Sequence, residues 1–232
     1  MKPLITNDEI QEALKLVDAW KDPALPQRQW DVIVKERELV AAGRQDEVAP
    51  YRSFVETLRH VDYANLPEYK LLDLGAASGI YSDILKRAGY KWSYRAADYS
   101  AAFREFALTK YPHLEYDLQD ATALEYQDNS FEILLHGCCL IHIRDWRKAI
   151  MEAARVSKRY VLFHRTPILD VSPARYFLKE AYGVPCFDIW FGASEFFEAV
   201  RDAGLVFRWE ETVFKTQDYG GYGQYSYLFE KK

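Results

Sequence analysis

Apolar side chains recur at two different spacings, which divide the chain near residue 66. Up to that point they repeat at helical intervals, and no stretch alternates like a strand. Three helices bury too little apolar surface to form a core by themselves. We therefore predict that residues 1–66 form a helical cap laid on the domain that follows. The predicted helices cover about residues 7–20, 27–42 and 48–61.

The second part of the chain, residues 67–232, alternates short apolar runs with amphipathic segments. This alternation is typical of an α/β domain, in which helices cover both faces of a parallel sheet. The last two runs are separated only by a loop rich in glycine and tyrosine, so they predict an antiparallel hairpin that closes the sheet. The predicted strands lie near residues 70–74, 92–98, 113–118, 131–137, 159–163, 205–214 and 224–230.

The fold predicted from this pattern is a Rossmann-like three-layer α/β/α sandwich. Its seven-stranded sheet is mostly parallel and ends in an antiparallel strand. One segment, residues 166–193, lacks a regular period and is rich in aromatic side chains. We predict that it is an irregular insertion that covers the ligand-binding edge of the sheet. Tyr176, Tyr182 and Trp190 are candidates for the walls of a pocket there, and packing onto the domain is an equal alternative for each of them.

Composition and charge exclude several classes of protein. Hydrophobic residues make up 49% of the 232 residues, which is enough for a full core. The formal net charge is −5 and no basic stripe is present, so we expect no nucleic-acid partner. No apolar run approaches the roughly 20 residues of a membrane span, and the first residues do not resemble a secretory signal. Cys138, Cys139 and Cys186 indicate neither a disulfide framework nor a zinc site, so we expect a cytoplasmic protein with reduced thiols and no metal.

The clearest local motif runs from Asp73 to Gly79 and reads Asp-Leu-Gly-Ala-Ala-Ser-Gly. It joins a buried strand to a helix through a tight turn, in which Gly75 and Gly79 let a ligand approach the main chain. Dinucleotide-binding turns hold a pyrophosphate, which the carboxylate of Asp73 would repel. A carboxylate at this point instead suits a ligand with a positive charge, such as an ammonium or a sulfonium.

This turn is similar to motif I of the class I S-adenosylmethionine-dependent methyltransferases, which usually reads Asp-Leu-Gly-Cys-Gly-Thr-Gly. The chain departs from that motif at Ala76 and Ala77. Residues 128–132 read Asp-Asn-Ser-Phe-Glu and resemble the Asp-x-Ser-Phe-Asp phrase of methyltransferases related to ubiquinone-biosynthesis enzymes. The resemblance covers about residues 68–164, and it implies methyl transfer from S-adenosylmethionine.

Two further acidic residues follow predicted strands. Asp98 lies roughly 20 residues after the glycine turn, where nucleotide-binding α/β proteins place a carboxylate on the ribose hydroxyls; capping the next helix is the alternative. In the family, an Asp-Ala pair equivalent to Asp120-Ala121 recognises adenine. The candidate cofactor-binding residues are Asp73, Gly75, Ala76, Gly79, Asp98, Tyr99, Asp120, Ala121, His136 and Arg28. His136 is expected to contribute its backbone and Arg28 to pair with the methionine carboxylate, with a surface position as the alternative for Arg28.

Histidines near the ends of two predicted strands are the candidates for catalysis. His164 ends the fifth strand, and we predict that it is the base that takes a proton from a hydroxyl acceptor. His142 matches the second histidine of a Leu-His-His phrase found in relatives and is the second candidate base. Holding its loop through a backbone hydrogen bond is the alternative for His142. Arg165 is predicted to bind the acceptor.

The function expected from these residues is methyl transfer to a small-molecule or glycan-type acceptor, by O-methylation. The phrase Asn/Asp-Pro-Pro-Tyr/Phe, typical of enzymes that methylate amino groups of nucleic acids, is absent after the fourth strand. We expect no membrane partner, and the sequence leaves a homodimer open. A non-catalytic cofactor-binding or assembly protein is the alternative, because it would carry the same cofactor motifs.

Overall fold

The computed structural model describes residues 1–66, 69–218 and 221–232. The described strands are β1 (Lys2–Leu4), β2 (Lys70–Leu74), β3 (Ser93–Asp98), β4 (Glu115–Leu118), β5 (Phe131–Gly137), β6 (Ser157–Leu169), β7 (Arg175–Ala181), β8 (Val184–Gly192), β9 (Leu205–Thr216) and β10 (Tyr222–Lys231). The described α-helices are α1 (Asn7–Leu14), α2 (Leu25–Val32), α3 (Val34–Ala41), α4 (Ala49–Leu58), α5 (Ile80–Arg87), α6 (Ala101–Lys110), α7 (Trp146–Val156) and α8 (Ala193–Asp202). Within these ranges no helix has the length and apolar character needed to cross a membrane.

Five parallel strands form the centre of the sheet in the order β4-β3-β2-β5-β6. The chain moves outward from β2 in one direction to β3 and β4, and then in the other direction to β5 and β6. Ligands of open α/β sheets bind at the carboxyl ends of the strands, where the order reverses in this way. The last strand, β10, is antiparallel to both β6 and β9. The Rossmann-like sandwich with an antiparallel last strand is therefore confirmed.

The helices cover both faces of this sheet, because its buried side chains alternate between two clusters. Leu72, Leu134 and Val161 pack with α7 and α8 on one face. Leu71, Ile133 and Leu162 lie on the other face with α4 and α5. Successive side chains of a strand point to opposite faces, so central strands that are apolar at nearly every position indicate a sheet buried on both sides.

The sheet has more strands than the seven predicted, since ten strands join it in the part of the chain that the structure describes. The prediction that residues 166–193 are irregular is wrong, whereas their being an insertion stays a prediction. β6 continues to Leu169, and the residues that follow form an antiparallel hairpin of β7 and β8, with β1 paired on its outer edge. The reason is burial: β8 is buried at all but one position, so its apolar residues are continuous and show no alternation.

The N-terminal helices pack on the sheet domain at two places. Ala13 and Leu14 of α1 belong to the cluster on the α7 and α8 face, whereas Phe54 and Leu58 of α4 belong to the opposite one. Two predicted helices are interrupted: the first continues as a 3₁₀ helix over Lys15–Lys21, and the second divides at Ile33 into α2 and α3. The predicted boundary between residues 66 and 67 stays a prediction, because Pro67 and Glu68 lie outside the described residues, as do Tyr219 and Gly220 of the last loop.

Candidate functional site

A cavity of about 510 Å³ lies at the carboxyl ends of the parallel strands. Its volume falls within the roughly 300–1,000 Å³ of small-molecule and cofactor pockets. Four of the five central strands contribute to the lining at or just after their ends, through Gly75, Asp98, Asp120 and Cys138. The fifth, β6, contributes Arg165, which follows the residue paired with the end of β5. The 3₁₀ helix of residues 15–21 and the β7–β8 hairpin close the other side. The cavity therefore has a half made by β2 to β5 and a half made by the N-terminal segment, β6 and the hairpin.

The turn after β2 presents its main chain to the cavity. Gly75 has a φ of 75°, and the N–H groups of Gly75 and Ala76 both donate to the Ala97 carbonyl, at 2.8 and 3.1 Å. Ala77 stands where the usual motif has its second glycine, and it adopts the left-handed conformation with a φ of 47°. Its N–H donates to Asp98 Oδ2 at 3.1 Å. The alanine therefore keeps the glycine-like backbone at a cost of roughly 1–2 kcal/mol.

Close packing on Cys139 explains why residue 75 is glycine. A Cβ at that position would lie 2.3 Å from Cys139 Cβ. The Cys139 thiol donates to the Leu74 carbonyl at 3.0 Å and lies 3.0 Å from His136 Nδ1. Cys139 therefore holds the end of β2 against the loop that follows β5.

The carboxylate of Asp98 lines the cavity and is 6% exposed. Each of its oxygens accepts a backbone N–H group, Oδ1 from Ser100 at 3.0 Å and Oδ2 from Ala77. Burial raises the pKa of Asp98 to about 6, and the N–H groups limit this rise because they stabilise the charged form. Each carboxylate oxygen keeps a free lone pair, which suits a pair of vicinal hydroxyls.

Neighbouring residues complete this half of the cavity. Tyr99 lines it and donates its hydroxyl to the Val17 carbonyl at 2.7 Å, which ties the N-terminal segment to β3. Asp120 and Ala121 also line it, and Asp120 Oδ1 accepts the Thr122 N–H at 2.8 Å. The structure thus brings together, in the lining of one cavity, five of the predicted cofactor-binding residues: Gly75, Asp98, Tyr99, Asp120 and Ala121. Ala76 and Gly79 belong to the same turn but lie outside the lining.

Asp73 lies behind the turn and is fully buried. Its Oδ2 accepts the Tyr94 hydroxyl, whereas its Oδ1 has no hydrogen-bond partner among the described residues. Burial raises the pKa of Asp73 to about 7, the Tyr94 hydroxyl opposes that rise, and the charge of Asp98 adds to it. As the pH rises through about 7, Asp73 therefore takes on a carboxylate charge that no cation of the described residues balances.

We expect Asp73→Asn to raise the free energy of unfolding of the ligand-free protein relative to the wild type, and to raise it more at pH 8 than at pH 4.5. Because the folded pKa of Asp73 is raised from 3.8 to about 7, its contribution to folding is fully present below pH 4 and is lost as the pH rises through 7. The full loss is on the order of 4 kcal/mol, at 1.36 kcal/mol per pKa unit. Urea unfolding of the wild type and the variant at both pH values measures the difference.

Asp117→Asn is the matched control for this prediction. Asp117 belongs to β4 of the same sheet, but there the effect of burial is outweighed by Tyr126 and Arg95, which hold the pKa of Asp117 below its usual value. Because a lowered pKa contributes stability that is lost only as the pH falls below 3.8, Asp117→Asn should lose nearly the same stability at pH 4.5 and at pH 8. The same pH dependence in both variants would contradict the assignment of the unbalanced charge to Asp73.

On the other side of the cavity, His142 is held in one tautomer. Its Nδ1 lies 2.9 Å from the Phe187 carbonyl and 3.2 Å from Asp188 Oδ1. Both neighbours are acceptors, so Nδ1 carries the hydrogen and Nε2 keeps a free lone pair. The Trp20 ring packs on the imidazole with a centroid separation of 4.4 Å. Burial lowers the pKa of His142 to about 4, and Asp188 offsets only part of that effect. His142 is therefore a neutral proton acceptor at physiological pH.

The β7–β8 hairpin supplies two residues that the sequence interpretation missed. Lys179 Nζ lies 2.7 Å from Asp188 Oδ2, and both side chains line the cavity beside His142. The sequence contained one indication of this pair. Asp188 is an acid within the apolar run of β8, and a buried acid requires a partner. His142, Cys186 and Asp188 offer ligand atoms within 4.8 Å of one another, as in a metal site. The ammonium of Lys179 already supplies the cation that balances Asp188, so we interpret the group as an imidazole–carboxylate dyad.

The structure places His164, the first-choice base, away from the cavity. Its ring is fully buried between Phe54 and Tyr81, with both centroid separations at 5.6 Å, and its Nδ1 lies 2.5 Å from Ser226 Oγ. Burial holds the pKa of His164 well below its usual value. A catalytic base must contact the methyl acceptor, and His164 lies outside the lining of the cavity. His136 is likewise outside the lining: its ring stacks on Phe163, and burial lowers its pKa to about 3.

The other predicted site residues divide between the cavity and the surface. Arg165, Tyr182 and Trp190 line the cavity. Arg28 is exposed and donates from Nη1 to the Tyr182 carbonyl at 3.3 Å, so it holds the hairpin turn and does not face the cofactor half. The next residue, Gln29, lines the cavity instead. Tyr176 pairs with Leu4 of β1 and lies outside the lining.

Comparisons with known proteins agree with this geometry. A family model described as a methyltransferase domain matches residues 72–163. A demethylmenaquinone methyltransferase of Renibacterium salmoninarum is 30% identical over 93 residues, which are 40% of this chain and 38% of that protein. The matched region thus spans well under half the length of that curated relative.

Solved structures share the fold at low sequence identity. A protein from Pyrococcus horikoshii OT3 has a TM-score of 0.56 at 18% identity, over 78% of this chain and 91% of its own. A SAM-dependent methyltransferase from Methanosarcina mazei has a TM-score of 0.54 at 16% identity, over 72% of this chain and 93% of its own. At these identities the likeness shows the fold alone.

Proposed function

Because the chain belongs to the class I S-adenosylmethionine-dependent methyltransferases, we propose that it methylates a hydroxyl of a small-molecule or glycan-type acceptor in this cavity. The observation that carries the proposal is the position of His142. Its unprotonated Nε2 belongs to a residue of the cavity wall, and its other nitrogen donates to the Phe187 carbonyl with Asp188 Oδ1 3.2 Å away. A neutral imidazole in a cavity is the group that a hydroxyl acceptor needs for loss of its proton.

The half of the cavity made by β2 to β5 fits the cofactor. Asp98 has lone pairs for the two ribose hydroxyls, and the bare main chain at Gly75 admits the methionine portion. Asp120 and Ala121 lie just after the end of β4, where the family places adenine. The buried charge of Asp73 favours a positively charged ligand over a neutral one. When bound, S-adenosylmethionine supplies a methyl group that its sulfonium already activates.

The protein then has two tasks, alignment and proton transfer. Trp20, Tyr182 and Trp190 wall the acceptor half and restrict the orientations of an acceptor beside the cofactor half. His142 Nε2 would take the proton of the acceptor hydroxyl, and the bound cofactor would supply the methyl group to that oxygen. Asp188 stabilises the imidazolium that forms, and Lys179 holds Asp188 in place. A non-catalytic binder would not require this dyad, and the hairpin lines the acceptor space without filling it.

We expect the protein to bind S-adenosylhomocysteine and Asp98→Ala to weaken that binding by about 1–3 kcal/mol, the cost of an unmet hydrogen bond to a charged group. Isothermal titration calorimetry measures the affinity. Asp117→Ala is the matched control, because Asp117 lies on the neighbouring strand and pairs with Arg95 outside the cavity. Absence of S-adenosylhomocysteine binding by the wild type would overturn the proposed function.

The acceptor itself is found by a screen. Incubation of the protein with methyl-labelled cofactor and fractionated small molecules and glycans should transfer label to one class of hydroxyl compound. Transfer that survives in variants without the imidazole would indicate an acceptor that is already nucleophilic, such as an amine, and would replace O-methylation in the proposal.

A further inference from the structure

Arg165 owes its position to an irregularity in β6. Phe163 pairs with Tyr227 of β10 and Thr166 pairs with Tyr225, so His164 and Arg165 together face the single residue Ser226. This is a β-bulge, and Arg165 has a left-handed φ of 56°, the conformation of one residue in the G1 class of bulge. Bulges next to active sites redirect side chains. Here the bulge leaves His164 in the core and Arg165 in the wall of the cavity.

The guanidinium of Arg165 has no counter-charge of its own. Its Nε is buried without a hydrogen-bond partner, and no carboxylate of the described residues lies within 4.0 Å of it. Glu36 attracts Arg165 from farther away and accepts the Tyr51 hydroxyl at 3.0 Å. Three other cations in the cavity wall are paired: Lys21 with Asp18 at 2.7 Å, Arg144 with Asp145 at 3.4 Å, and Lys179 with Asp188 at 2.7 Å.

A half-buried cation with a buried, unpartnered Nε is costly, because desolvation is not offset by an ion pair. Such a group persists where a ligand provides the missing charge. The planar guanidinium offers parallel donors that match a carboxylate or a phosphate. We propose that Arg165 is an anion-binding site of the cavity, which receives a carboxylate-type group of a bound ligand. The proposal rests on the proposed function only for the identity of that ligand.

Two ligands can bring this anion. Arg165 lies beside Cys138 at the end of β5, near the turn that holds the methionine portion of the cofactor, and it also faces Tyr182 of the acceptor wall. The anion is therefore the methionine carboxylate of the cofactor or an acidic group of the acceptor. In the second case the acceptor carries a hydroxyl for His142 and an anion for Arg165, as a hydroxy acid or a phosphorylated sugar does.

The test compares Arg165→Met with Arg104→Met. Arg104 is half-buried outside the cavity and donates to the Tyr116 carbonyl at 3.0 Å, so its loss removes a normal structural contact. In the ligand-free protein we expect Arg165→Met to keep or raise the melting temperature, and Arg104→Met to lower it. A melting temperature of Arg165→Met that falls as much as that of Arg104→Met would show a structural role for Arg165 and overturn the proposal.

Calorimetry then identifies the source of the anion. S-adenosylhomocysteine has the amino-acid carboxylate, and 5′-methylthioadenosine lacks it. If the cofactor fills the site, Arg165→Met weakens the binding of S-adenosylhomocysteine at least tenfold and leaves the affinity for 5′-methylthioadenosine unchanged. If the acceptor fills it, both affinities stay unchanged, and 4-hydroxybenzoate or inorganic phosphate binds to the saturated wild type but not to Arg165→Met.

Equal binding of every probe by the wild type and Arg165→Met overturns the anion site while leaving the methyltransferase proposal intact. Failure of the wild type to bind S-adenosylhomocysteine counts against the proposed function alone. Phosphate binding and melting temperature then still report on Arg165.

Discussion

Gly75→Ala is expected to lower the free energy of unfolding by about 2–5 kcal/mol, through two effects that add. The new Cβ would lie 2.3 Å from Cys139 Cβ, and the backbone would keep a φ of 75° that disfavours any side chain. Overpacking in a tight interior costs roughly 1–3 kcal/mol, and the left-handed conformation adds roughly 1–2 kcal/mol. Urea unfolding followed by circular dichroism measures the loss.

Gly89→Ala is the matched control for this substitution. Gly89 has a φ of 84°, but a Cβ added there would meet no atom of the described residues within 4 Å, so only the backbone effect applies. It should cost roughly 1–2 kcal/mol. The difference between the two variants isolates the contact of the turn with Cys139. Equal losses would show that the turn relaxes away from Cys139 and that the close packing there is not required.

His142→Asn is expected to reduce turnover by about 10²–10⁴-fold, the usual contribution of a general base. The asparagine amide can still donate to the Phe187 carbonyl from the place of Nδ1, so the loop and its partners are kept. What is lost is the lone pair of Nε2 that accepts the proton. Affinity for S-adenosylhomocysteine should stay unchanged, since His142 lies in the other half of the cavity. Initial rates with labelled cofactor and the acceptor from the screen measure the effect.

The pH profile provides an independent check on His142. Because burial lowers its pKa to about 4, the base is already neutral at higher pH. At saturating cofactor, so that the titration of Asp73 and Asp98 does not limit binding, turnover that depends on His142 should be level from about pH 5.5 to 8 and fall only below about pH 5. His60→Gln controls for the loss of a histidine, since His60 is exposed and stacks on Trp209. Full turnover in His142→Asn would remove His142 as the base.

That Gly75 and Asp98 lie together in the cavity half made by β2 to β5 could be predicted from sequence, because the determinants of this half are local. Gly75 and Asp98 each lie at the end of a strand, and their chemistry depends on the main chain within a few residues. Ala77 illustrates this local control. It replaces the second glycine of the usual motif, yet the turn is kept because the Ala77 N–H donates to Asp98. No pairing distant in the chain had to be known.

The acceptor half could not be predicted, because it depends on strand pairing and register. Adjacent strand residues face opposite sides, so His164 and Arg165 could not both be expected at the cavity. The bulge opposite Ser226 decides which of them reaches it, and a bulge leaves no signal in one sequence. Burial on both faces hid the period of β8, and with it the Asp188 that orients His142.

Because β1 pairs with β7, the two halves of the cavity are expected to form at different stages of folding. The cofactor half is built from consecutive units between residues 70 and 137, which meet soon after they are synthesised. The acceptor wall joins Lys2 to Leu178, most of the chain apart. Contacts between residues so distant in sequence form slowly, because the closure of a long loop precedes any gain from them. A nascent chain can thus form the turn after β2 before the hairpin side of the cavity exists, and the cavity is closed only when the first and the late strands meet.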